Sequence, residues 1–331
     1  TEVGMLQHTS SGKSAGYGEM ASASAAITVP KEVELKAVKD FKIIGTSQKN
    51  LDGKSMIMGE PMFGMDYHKE GMLIAMIEHP TAFGLTLKSV DDTEVRTMPG
   101  IKDVITLKSY KDGFEKGGFD TNAFPEIVAI VGNSTWEVMQ AKKRLKVTWK
   151  PITAYTETIS GFRGKESKNI PAGFESTSSH QSKMAAISNK QGKIVRKDGN
   201  PSEAFKNAAK IIESSYSAPY LAHNSMEPLN AFAHVEGDKA MIAAPIQIPG
   251  FIIPTIAASL EIPVENITME MPRMGGGFGR KAYAHFVLEA SLISKKVNAP
   301  IKLIYSREDD MTNGIYRPTY QATYRAALDE N

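Results

Sequence analysis

The sequence predicts a mixed α+β fold in two domains, and three observations carry that prediction. Met72 to Ile77 (MLIAMI) is a continuous apolar run of strand length, the pattern of a strand covered on both faces. Ser134-Thr135-Trp136-Glu137 reads as a capping box between the apolar run Ile127 to Val131 and a closing strand, Val147 to Trp149. A glycine-rich turn, Gly275 to Gly279, joins a strand over Ile267 to Met271 to a helix of about four turns over Ala282 to Val297.

The remaining elements follow in chain order. The opening segment to Thr28 is rich in Ser, Gly and Ala, and Ala21 to Ile27 has few large apolar residues with which to bury a face, so it needs another surface to pack on. Asp91-Asp92-Thr93-Glu94 resembles a helix start, Met98-Pro99-Gly100 a stop, and Ile101 to Leu107 a second strand. Val138, Ala141 and Leu145 share one helical face after the capping box. Ile152 to Lys190 has little periodicity and reads as a long connection in which chemistry is not expected. A helix begins at Pro201, after Asp198-Gly199-Asn200, and Lys210 to Tyr216 is a strand. Ala231 to Val235 and Ala240 to Ala243, with a turn at Gly237-Asp238, form a hairpin; Gly250 to Leu260 is a helix and Ile301 to Tyr305 a strand. Tyr320 to Leu328 alternates like a strand and runs into Asp329-Glu330-Asn331, a turn signal with no return strand after it. The expected division is an N-terminal segment over residues 1–41, a small α+β domain over 42–150, a connection over 151–197 and a second domain over 198–331. The weakly anchored start and the end in mid-pattern point to one portion of a larger subunit.

Composition excludes several function classes. Lys plus Arg number 39 against 37 Asp plus Glu, a formal charge of +2 with the signs interspersed, which is not the footprint of a nucleic-acid binder. The absence of cysteine rules out a disulfide, an iron–sulfur cluster or a thiolate zinc site within the chain. No apolar run approaches the roughly 20 residues that span a bilayer, and Thr1 to Met5 lacks the basic and apolar regions of a signal peptide, so the chain as it stands is expected to be soluble. No Ser-His-Asp set or nucleophile elbow supports hydrolysis, and the 17 methionines read as apolar filler.

The glycine turn holds the most chemistry. Four glycines in the five residues around Phe278 let backbone N–H groups approach a ligand, and the following helix start favours an anionic, oxygen-rich group. A tightly packed turn is the alternative. The segment lacks the Lys-Ser/Thr of a P-loop, and Arg280 stands where a dinucleotide fingerprint would end in glycine. Gln247, framed by Pro245 and Pro249, could aim its amide at a site or be satisfied in its loop. His223 and Glu227 could share a metal if helical, yet Pro228 disfavours that helix and no third ligand has diagnostic spacing, so no metal ligands are assigned. Arg307-Glu308-Asp309-Asp310 reads either as a functional loop or, preferably, as a solvated cap.

The segments Ala222 to Asn230, Pro245-Ile246-Gln247, Arg273 to Arg280, and Ser306 to Asp310 with Tyr316-Arg317-Pro318, taken in this order, resemble the molybdopterin-binding large subunit of the xanthine oxidase family, in the branch of isoquinoline 1-oxidoreductase β subunits and related aldehyde dehydrogenases. Residues 42–150, with Gly59 to Asp66 near the start and Met98 to Ile101 in the middle, resemble the aldehyde oxidase/xanthine dehydrogenase a/b hammerhead domain. Residues 198–331 resemble part of the first molybdenum-cofactor-binding domain. The resemblance implies a molybdenum–pterin cofactor, in bacterial members often the cytosine dinucleotide, that hydroxylates an N-heterocycle or an aldehyde with oxygen from water. It implies that Gln247 hydrogen-bonds an oxygen ligand of the metal, that the backbone of Gly276, Gly277, Phe278 and Gly279 lines the site, and that Arg280 faces the cofactor or the substrate channel. The general-base glutamate is expected outside this chain, so no catalytic residue is assigned within it. The implied partners are the remaining part of the large subunit, a small [2Fe-2S] subunit, a cytochrome as one candidate electron acceptor and a small-molecule substrate. The periplasm is the expected compartment, with the cytoplasm as the alternative. The competing function is a non-catalytic scaffold or ligand-binding fragment of the same fold.

Overall fold

The computed structural model describes residues 3–121 and 124–330. The chain forms two compact units, residues 1–60 and 61–331, so the first boundary falls at 60/61 rather than at the expected 41/42. In the first unit, Met5–His8 pairs antiparallel with Lys13–Gly16 and leads into the helix Tyr17–Ala25. No residue of that helix is buried, as expected from its small side chains.

The second unit is built on a seven-stranded sheet. Its strands are β1 (Leu73–Glu78), β2 (Ile101–Lys108), β3 (Glu126–Gly132), β4 (Asn230–Glu236), β5 (Lys239–Ala243), β6 (Ile267–Glu270) and β7 (Ile301–Ile304), in the order β6-β5-β4-β7-β1-β3-β2. The pairing of β1 with β7, Ile301 opposite Leu73, is parallel. It joins strands that the sequence reading divides between two domains. Both strands are largely buried because each is covered on both faces, with Lys302 the buried charge within β7. Ile74 and Met76 point into one core with Val128, Ile130, Val138 and Ile304, while Ala75 and Ile77 point into the other with Ala129, Ala231, Phe286 and Leu303.

The helix α1 (Thr135–Arg144) buries Val138 and Ala141 against the first of these cores, and Ser134 caps it by accepting the Glu137 N–H. The helices α2 (Pro249–Leu260) and α3 (His285–Val297) cover the second core. The glycine turn lies between β6 and α3, and α4 (Arg307–Thr312) follows β7. Among the described residues no helix is long and apolar enough to cross a membrane.

Several elements differ from expectation. Residues 91–97 yield only a 3-10 turn, Val95–Thr97, because Pro99 follows too soon for a longer helix. The 152–190 stretch contains the hairpin Tyr155–Gly161 with Gly164–Ile170 and the helix Thr177–Ser188. Helix α3 begins at His285, after a 3-10 turn over Arg280–Ala282. Tyr320–Leu328 pairs antiparallel with the earlier strand Lys210–Ala218, which supplies a partner from upstream; Asn331, the last residue of the expected turn, lies outside the described residues.

Candidate cofactor-binding loop

The segment from Met274 to Lys281 leaves β6 and enters α3 through a chain of unusual backbone angles. Gly276 and Gly279 lie at φ of +96° and +90°, where glycine alone is unstrained. Phe278 lies at +50° and is largely exposed, a strained position for an aromatic residue. Four hydrogen bonds hold the loop in this shape. The Gly275 N–H donates to Glu227 Oε2 at 2.8 Å, the Gly279 N–H to Gln247 Oε1 at 3.0 Å, the Arg280 N–H to the Gly277 carbonyl at 2.8 Å, and the Arg317 guanidinium to the Phe278 carbonyl at 3.1 Å. The N–H groups of Gly276, Gly277 and Phe278 have no acceptor among the described residues. Successive free N–H groups in residues of alternating handedness have the backbone pattern of a nest, a concavity suited to anionic oxygen.

Gln247 stands beside this concavity. Its backbone N–H donates to the Lys281 carbonyl at 3.1 Å, and the bond from Gly279 occupies the side-chain oxygen. The exposed side chain therefore presents its amide NH2 as a donor. A methyl group on Gly277 would lie 2.7 Å from Gln247 Oε1 and 2.9 Å from Met274 Sδ. Glycine at 277 thus keeps the amide in place. The structure brings Gln247, Gly276, Gly277, Phe278 and Gly279 together.

Arg280 is different. Its backbone closes the loop, but its side chain turns inward and is only 2% exposed, packed so closely on Gly314 that a methyl there would lie 2.2 Å from Nη2. The expectation that it faces a ligand is corrected: it lies among Tyr305, Glu289, Asp310 and Tyr316. Burial lowers its pKa, and it holds the neighbouring His285, itself lowered mainly by burial, further towards the neutral form. Burial also pushes Glu289 up to about 8, while Tyr305 donates to its Oε2 at 2.6 Å.

Two further expectations change with the geometry. Glu227 is not part of a metal pair with His223: its Oε1 accepts the Met65 N–H at 3.0 Å and Asn230 Nδ2 at 3.2 Å, and its Oε2 accepts Lys281 Nζ at 2.7 Å besides Gly275. The Arg307 to Asp310 cluster is a clasp rather than a solvated cap. Arg307 donates to the Met226 carbonyl at 2.7 Å and to Asp310 at 2.9 Å, and both carboxylate oxygens of buried Asp309 accept Lys142 Nζ on α1, at 2.6 and 2.7 Å, besides the Ser306 N–H and Asn313 Nδ2 at 3.1 Å. Sequence reading missed Lys281, Arg317 and Met65 as supports of the loop, since each acts across more than 30 residues of chain.

A half-buried glycine loop between strand and helix, fixed by side chains from distant segments and with three amides free among the described residues, has the donors to hold an anionic, oxygen-rich group. Residues 185–331 match the molybdopterin cofactor-binding domain family. Over 303 residues the chain is 28% identical to a membrane-bound aldehyde dehydrogenase (pyrroloquinoline-quinone) of Gluconacetobacter polyoxogenes, covering 90% of this chain and 36% of that protein. It is also 28% identical to the isoquinoline 1-oxidoreductase subunit beta of Brevundimonas diminuta, covering 90% and 35%. Among solved structures, quinoline 2-oxidoreductase from Pseudomonas putida 86 matches with a TM-score of 0.59 at 19% identity, covering 86% of this chain and 37% of that one. The aldehyde oxidoreductase from Desulfovibrio desulfuricans matches with a TM-score of 0.61 at 17% identity, covering 86% and 33%. These two likenesses establish the fold. The chain is thus similar to molybdenum-binding subunits of aldehyde and N-heterocycle oxidoreductases, and it spans about a third of the length of the relatives just described.

Proposed function

We propose that this chain is part of the catalytic subunit of a molybdenum hydroxylase that oxidises an N-heterocycle or an aldehyde. The observation that carries this reading is the set of three unpaired amides at Gly276, Gly277 and Phe278 beside the outward-facing Gln247 amide. These groups fit an anionic, oxygen-rich cofactor: the loop amides would donate to its oxygens, and Gln247 would donate to an oxygen ligand of the metal. When bound, the molybdenum–pterin group supplies the two-electron oxidation of a substrate carbon with water as the oxygen source. The protein contributes a fixed array of donors, set before binding and therefore needing little reorganisation. Gly277 contributes by leaving Gln247 undisturbed, and Arg317 by occupying the Phe278 carbonyl with a hydrogen bond. No residue of this chain is given the general-base role, which we place on sequence outside it.

The finer features of the reading rest on the resemblance: a cytosine-dinucleotide form of the cofactor, a small [2Fe-2S] partner and a periplasmic assembly. The names of the relatives support either substrate class, an aldehyde or an N-heterocycle. One relative is named for pyrroloquinoline quinone, so the deciding experiment measures both cofactors. Elemental mass spectrometry of the assembly purified from its native host is expected to give close to one molybdenum per particle. Gly277→Ala is expected to fold normally, because only flexible side-chain ends meet the new methyl, yet to lose most of that metal. A particle with quinone absorbance and no molybdenum would overturn the proposal.

A further inference from the structure

We propose that Glu227 and Lys281 are a positioning pair that sets the backbone from Gly275 to Gly279 for the anionic group it receives. The inference rests on the cofactor-binding reading of that loop. The two side chains are 6% and 0% exposed, with Lys281 Nζ 2.7 Å from Glu227 Oε2. Neither touches the concavity directly. Glu227 instead holds both polar groups of Gly275: its Oε2 accepts the Gly275 N–H at 2.8 Å and its own N–H donates to the Gly275 carbonyl at 3.0 Å. Gly275 has no room to move towards Glu227, since a methyl there would lie 2.5 Å from Glu227 Cβ.

Lys281 stands at the other end of the loop. Its carbonyl accepts the Gln247 N–H, so one ion pair ties the entry of the loop, its exit and the glutamine beside it. The second oxygen of Glu227 extends the tie to a distant strap. It accepts the Met65 N–H and Asn230 Nδ2, while Asn230 Oδ1 accepts Lys302 Nζ at 3.1 Å and the same ammonium bonds the Gly64 carbonyl. Residues Met62 and Gly64 of that strap also bond Arg273, at the start of the loop segment. Every link is buried or half-buried. A buried ion pair is a weak source of net stability compared with an apolar pair of the same volume, and it is well suited to selecting one geometry.

The test uses the assembled enzyme with Glu227→Gln, Lys281→Met and the double variant, which removes both charges. Three quantities are read: thermal midpoint, amide exchange at Gly276 to Phe278, and molybdenum content. Each single variant is expected to exchange its loop amides about tenfold faster and to lose most of its metal. The double variant is expected to recover the thermal midpoint while loop exchange and metal content stay at the level of the single variants. Recovery of all three together would reduce the pair to a structural one and overturn the proposal, as would wild-type exchange in the singles. If a single variant does not fold, the electrically neutral double variant decides the same question. If the wild-type assembly carries no molybdenum, the cofactor reading fails, and loop exchange still decides the role of the pair.

Discussion

Glu289 lies fully inside α3, where burial pushes its carboxyl up to about 8 and Tyr305 donates to it. A carboxyl raised in the folded state binds a proton that the unfolded chain has already released. Between the ordinary carboxylate value and about 8, the folded protein therefore holds more protons, and stability falls as pH rises through that window. Urea unfolding at about pH 5 and about pH 8 should record a lower midpoint at the higher pH, and Glu289→Gln should flatten the difference. An unchanged slope in the variant would assign it to other groups. The same interior shows why site residues differ in legibility. Gln247 and the loop backbone are readable because glycine runs and proline frames act locally. Arg280 is not, since its inward turn depends on Tyr305, Glu289 and Asp310, which arrive from other elements. Glu227 escapes for the same reason: its four donors come from residues 65, 230, 275 and 281.

Elements follow the same division between local and distant causes. Helix α1 is marked in the sequence by its cap, and the structure has Ser134 Oγ accepting the Glu137 N–H at 3.3 Å while donating to Glu137 Oε2 at 2.7 Å. Ser134→Ala should lower stability by about 1 kcal/mol, measured as a lower urea midpoint at unchanged slope. A loss near zero would mean that the packing of Val138 and Ala141 alone holds the helix start. The hairpin of residues 155–170 gives no such signal. Its second strand, Gly164–Ile170, is exposed along nearly its whole length, so no apolar alternation betrays it. What makes it a hairpin is the turn, where Gly164 at φ of +100° reverses the chain and lets Gly161 to Tyr155 pair in register. The glycine is visible in the sequence, but the polar strands around it are indistinguishable from a solvated loop.

At the scale of the whole molecule, individual strands were legible and their grouping was not. MLIAMI announces a strand covered on both faces, yet nothing in it specifies that one neighbour is β3, some 50 residues ahead, and the other β7, more than 200 residues ahead. Chain order suggested two domains with a long connection between them; hydrogen-bond order joins β1 and β7 in one sheet. The clasp of Lys142 on α1 with Asp309 on α4 crosses the same divide, as does Ile304, which packs in the core with Val138 and Ile130. The fold therefore has a covalent sequence of parts that differs from its sequence of contacts.

That difference makes the exposed tract of residues 189–199 a covalent tether between parts held together elsewhere. A protease nick there should leave two polypeptides that migrate as one native particle and separate only in denaturant, because the β1–β7 ladder and the Lys142–Asp309 clasp stay intact. Expressed alone, the half before the tether would leave β1, from Leu73 to Ala75, as an unpaired sheet edge and aggregate, whereas the two halves expressed together should find each other as a split protein does. The polypeptide could therefore be divided at this point into two genes without loss of its fold.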